Sequence, residues 1–135
     1  MTPRRRIPDV LPPPLSQPLA AGDAARTLGR RRAALLRRCA GGEAVLAAMP
    51  TSSFTDTGSW FGKRRVCLAF TPGALLLFAT GPRPLCRRIP LTELRQTQYN
   101  TVTGELVFAP AGVPVRAVAL PPLKAARALA QLGKG

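Results

Sequence analysis

"GKRRVCLAFTPGALLLF", Gly62 to Phe78, sets three cations in front of two apolar runs joined through Thr71, Pro72 and Gly73. Val66, Leu68 and Phe70 alternate with Arg65, Cys67 and Ala69, the period of a strand with two unlike faces. The turn residues reverse the chain. Ala74 to Ala79, "ALLLFA", is apolar without interruption, so this strand is buried on both faces or has one face covered by another element. The expectation is a hairpin of Arg64–Phe70 and Ala74–Ala79.

Short apolar runs separated by turn residues continue in both directions. Glu43 to Met49 reads as a first strand, and the polar stretch from Pro50 through "TSSFTDTGSW" as a long loop or an extension of it. Leu85 to Leu91 gives a fourth strand, with "LTEL" a corner or single helical turn. Gln96 to Val102 is the fifth, Thr103 and Gly104 a tight turn, Glu105 to Ala109 the sixth and Val115 to Leu120 the seventh. Pro121 and Pro122 open a last helix, "LKAARALAQL", where proline is tolerated because first-turn N–H groups lack helical acceptors. The fold class is therefore mainly β with helices. Seven strands form a bent antiparallel sheet or partly open barrel, and Leu123, Ala126, Leu129 and Leu132 of the C-terminal helix plug its open end.

Ahead of the strands the composition changes twice. Residues 1–21 hold six prolines and little to pack, which reads as a disordered or polyproline-like tail. "PPPLSQP" within it is a linker or a ligand for an aromatic groove. Residues 22–41 read as one basic amphipathic helix, capped by Asp23, weakened by Gly29 and stopped at Gly41 and Gly42. Leu28, Leu35, Leu36 and Cys39 make its apolar stripe. Arg30, Arg31, Arg32, Arg37 and Arg38 form a basic arm, suited to a membrane surface or to nucleic acid if the helix is free, and to plain solvation if its leucines pack on the domain. Residues 42–135 are the domain itself.

The chain has 135 residues, enough for one core, and carries 20 Lys and Arg against 6 acids, with no histidine. A net charge of +14 draws polyanions, and 17 of the cations are arginine, whose planar fork suits phosphate and carboxylate. Biased codon usage, in a chain this rich in Ala, Arg, Pro and Gly, is the competing reading of the same excess. Cys39, Cys67 and Cys86 are odd in number, far apart in sequence and without histidine partners, so neither a metal site nor a disulfide is expected and a reducing compartment follows. No apolar run approaches the ~20 residues of a membrane span. The expected location is cytoplasmic, with a peripheral membrane or nuclear role consistent with the charge. Catalysis has little basis: the six acids are scattered and no serine or cysteine has an evident base beside it. The chain reads as no enzyme and as needing no cofactor.

From about Glu43 to Leu132 the chain resembles the pleckstrin homology (PH) superfamily, its GRAM-type relatives included. "GKRRVCLAFTPGALLLF" is similar to the second and third strands of PH domains, and "RRIPLTEL" to the fourth strand and the turn after it. The resemblance implies a binding or adaptor module, in which cations on the first strands meet acidic ligands. The matching positions are Lys63, Arg64 and Arg65, with Arg87 and Arg88 as additions and Trp60 and Phe61 as membrane or partner contacts. Residues 43–61 contain no lysine or arginine, which argues against a specific phosphoinositide pocket. The implied partner is a protein with an acidic face or anionic phospholipid. Nonspecific nucleic-acid binding through the arginine-rich helix is the rival, although Tyr99 alone is no stacking platform.

Overall fold

The computed structural model describes residues 11–13, 15–55, 58, 62–109 and 116–133. Helices α1 (Ala21–Leu28) and α2 (Arg30–Ala40) precede seven strands: β1 (Ala47–Thr55), β2 (Arg64–Phe70), β3 (Ala74–Ala79), β4 (Leu85–Pro90), β5 (Gln98–Asn100), β6 (Glu105–Val107) and β7 (Ala117–Ala119). A single 3-10 turn, Leu91–Leu94, follows β4, and helix α3 (Pro122–Leu132) ends the fold.

The strands divide into two antiparallel sheets rather than one sheet of seven. One has the order β1-β2-β3-β4 and the other β5-β6-β7. The division falls at the 3-10 turn, where Leu91 and Leu94 bury their side chains while the chain leaves the first sheet. The expected single sheet is corrected on this point, and so is the single N-terminal helix. Gly29, at φ 89°, ends α1 and starts α2, a backbone angle that favours glycine.

Strand β1 begins four residues later than Glu43 and takes up much of the polar stretch. Pro50 has no N–H to give the ladder, and the β1–β2 register shifts between Pro50 and Phe54. Thr51, buried there, donates its hydroxyl to the Val66 carbonyl at 2.8 Å and accepts from the Ser53 amide at 3.1 Å. Ser53 Oγ then accepts the Ala119 amide at 2.8 Å. The bulge therefore joins β1 of one sheet to β7 of the other.

Two apolar clusters lie on opposite faces of β2 and β3. Val66, Leu68, Phe70, Leu75 and Leu77 face a main core shared with Leu91, Leu94, Tyr99, Leu106 and Val118. Helix α3 closes that core with Ala125, Ala128 and Leu132, aided by Leu129. Leu123, expected in the plug, is 70% exposed instead, because the inward stripe of the helix starts at Ala125. On the other face, Cys67, Ala69, Leu76 and Phe78 pack against Leu28, Leu35, Leu36 and Ala40 of the N-terminal helices. Burying one such leucine or phenylalanine contributes about 1.5–3 kcal/mol. The continuous "ALLLFA" is thus accounted for: α2 covers the face of β3 that the main core does not.

The segment before α1 also lies on the domain. Leu19 donates its amide to the Val45 carbonyl at 2.6 Å, and Gln131 of α3 donates its side-chain amide to the Leu15 carbonyl at 3.4 Å. Residues 1–10 lie outside the described part.

Candidate functional site

Helix α2 is fixed to the sheet by three independent means. The leucine stripe is the first. Cys39, in its last turn, is disulfide-bonded to Cys86 on the edge strand β4, with Cα atoms 5.8 Å apart. This overturns the expectation of no disulfide. Spacing in sequence says nothing about two cysteines brought together by a helix crossing a strand. Third, Glu43, three residues after the helix, takes two hydrogen bonds from Arg88, at 2.7 Å from Nε and 3.3 Å from a terminal nitrogen. The hydrogen bonds from Arg88 hold the Glu43 carboxyl below its ordinary value, although desolvation pulls the other way. Cys86 and Arg88 are two residues apart on one strand, so they share a face.

The five cations expected to act together are therefore dispersed. Arg88 is paired with Glu43. Arg87 stands opposite Leu77, on the face of β4 that also carries Leu85 and Ile89, yet it is exposed, as charges at sheet edges often are. Arg65 lays its guanidinium 5.6 Å from the centre of the Phe54 ring, its cross-strand neighbour. Lys63 is exposed ahead of β2. Trp60 and Phe61 lie outside the described residues.

Arg64 has different company. A cleft of about 490 Å³ is lined by Arg31, Leu35 and Arg38 of α2, by Arg64, and by the β3–β4 loop at Gly81, Pro82 and Pro84. Arg31, Leu35 and Arg38 follow one another at helical spacing, so they form a stripe on one side of α2. Arg64 is half-buried, and its Nε is buried with no hydrogen-bond partner among the described residues. An unsatisfied buried donor costs about 1–3 kcal/mol. Arg30, Arg31, Arg37 and Arg38 are exposed and Arg32 half-buried. The ion pairs found among the described residues are Arg26 with Asp23 and Arg88 with Glu43, so α2's own arginines have no carboxylate there.

The sequence marks Arg31 and Arg38 as part of the basic helix and Arg64 as part of the second strand, with nothing to join the two. Their meeting depends on where α2 crosses the sheet, for which the only local signal is the leucine stripe. The remaining cysteine, Cys67, is fully buried under α2, and that burial pushes its thiol up despite Arg32 and Arg65 nearby. It is poorly placed for chemistry. Tyr99 is buried and donates its hydroxyl to the Leu120 carbonyl at 2.8 Å, so its ring is packed rather than offered to a base.

Compared with protein-family models, with curated proteins and with solved structures, the chain matches none. No helix among the described residues is long and apolar enough to cross a membrane.

Proposed function

We propose that this chain is a non-enzymatic docking module of the PH-like class, which uses the arginine face of α2 to hold an acidic protein surface or an anionic membrane as part of a larger assembly. The observation that carries the reading is the anchoring of α2. A free arginine-rich helix loses conformational entropy on binding, whereas this one is already fixed by its core contacts, by Cys39–Cys86 and by Glu43–Arg88. Its cations form a prearranged surface, and no ion pair found among the described residues joins them to a carboxylate. The PH-like assignment is supported by the order of elements, seven antiparallel strands followed by a helix that closes the main core.

The compartment reading shifts with the disulfide. The cytoplasmic expectation rests on the cysteine count and on the lack of a membrane-spanning run, and the Cys39–Cys86 bond removes the first of these two grounds. Such bonds persist mainly in oxidising surroundings.

Vesicle flotation and affinity capture test the reading, comparing the native chain with one carrying Arg30, Arg31, Arg37 and Arg38 all changed to Glu. Each cation near an anionic surface contributes about 1 kcal/mol, so the reversal is expected to abolish retention on acidic vesicles or on an acidic partner at moderate salt. Unchanged retention in the variant would sink the proposal. Binding to generic DNA that survived physiological salt while acidic vesicles and proteins were ignored would favour nucleic acid instead.

A further inference from the structure

The cleft between α2 and the β3–β4 loop offers more than general positive charge. Arg31 and Arg38 stand about two helical turns apart on α2, and Arg64 comes from the start of β2. The buried Nε of Arg64 has no acceptor among the described residues, and no ion pair found among them engages any of the three arginines. An oxyanion in the cleft would meet guanidinium groups that no carboxylate among the described residues neutralises. Ala34, Pro82 and Pro84 make the remaining wall largely apolar, which suits a ligand with one charged end and an uncharged body. Its volume, about 490 Å³, is that of an ordinary small-molecule site.

We propose that this cleft binds an organic phosphate monoester, with the phosphate among Arg31, Arg38 and Arg64 and the organic part against Pro82 and Pro84. A phosphate monoester presents three strong acceptor oxygens and close to two charges at neutral pH, and three guanidinium forks can engage all of them; a carboxylate presents two oxygens and one charge. The inference rests on reading the α2 face as a docking surface, and it names the ligand class that one end of that face selects. The same ester occurs on free small molecules and on lipid headgroups, and the experiment separates the two.

Phenyl phosphate titrated into the full chain at low salt, followed by amide NMR, is expected to move signals at residues 31–38, 64 and 80–84 and to bind more tightly than inorganic phosphate. Arg64→Met keeps the apolar stem and removes the donors; it is expected to weaken binding about tenfold or more, the range for charge-assisted hydrogen bonds. Should Arg64→Met not fold, Arg38→Ala at an exposed position gives the same readout. Arg127→Met, an exposed change on α3, leaves the affinity as it was. Vesicles carrying phosphatidic acid are then compared with phosphatidylserine vesicles of matched charge. A preference for phosphatidic acid that Arg64→Met removes supports the site with a lipid source, and phenyl phosphate binding without that preference supports it with a free ester. No signal movement with phenyl phosphate, or equal weakening by Arg127→Met and Arg64→Met, overturns the proposal. Failure of the cleft alone leaves retention on phosphatidylserine vesicles intact, whereas failure of the docking reading removes it.

Discussion

Cys39, in the last turn of α2, is bonded to Cys86 on β4 across 47 residues of sequence, and the bond ties the basic helix to the open edge of the four-stranded sheet. It closes a loop that contains β1, β2 and β3. Closing a loop of this length removes chain entropy from the unfolded state, worth about 4 kcal/mol in the simplest account and commonly 2–4 kcal/mol in practice. Reduction, or Cys39→Ser with Cys86→Ser, is therefore expected to lower the midpoint of denaturant unfolding by a clear margin. Unfolding curves with and without reductant measure it, and coincident curves would show that the bond adds nothing.

The Glu43–Arg88 pair gives a pH signature. Arg88 lowers the pKa of Glu43 in the folded chain below its ordinary value of 4.5, so the stabilisation is present above the unfolded pKa and is lost as pH falls through the lowered folded value. Both side chains are substantially exposed, so the effect is small and is screened by salt. Thermal melts of the native chain and of Glu43→Gln should differ slightly at pH 6 and converge in acid below pH 4.5. A difference unchanged down to that range would mean that the pair is not what separates them.

Phe78 tests the second apolar cluster. Fully buried against the N-terminal helices, it is expected to cost about 3–5 kcal/mol when changed to Ala, through lost burial and the cavity left behind. Hydrogen exchange should also quicken in α2 more than in β6 and β7. Equal quickening everywhere would argue that α2 has no separate opening.

Cys67 should be silent in the folded protein. Its thiol is raised by burial, so it stays neutral where an exposed cysteine begins to ionise. Iodoacetamide at pH 8 is expected to leave it unmodified until denaturant is added, as read by mass spectrometry. The linkage runs against alkali: as pH rises past the unfolded thiol's pKa only the unfolded chain ionises, and stability falls. Rapid native labelling would contradict the packing of α2 over β2.

Much of the fold was legible in the sequence. The alternation Val66, Leu68, Phe70, the Pro72–Gly73 turn and the run Leu75 to Phe78 are signals within a few residues of one another, and strands β2 and β3 fall where they predict. Gly41 stops α2 as expected, taking φ 60° at its end. The candidate site was legible only in pieces, as cations without a common place.

By itself, the sequence determined the strand and helix periods, the turns, the excess of arginine and the need for cover over β3, because each of these depends on neighbouring residues. Only the tertiary structure decided that seven strands make two sheets, that α2 is the cover, and that Cys39 meets Cys86, Glu43 meets Arg88 and Arg64 joins Arg31 and Arg38. The physical reason is that these pairings join residues 26 to 47 positions apart. Their distance is set by how a leucine stripe seats on a sheet, a property of two surfaces together that neither segment carries alone.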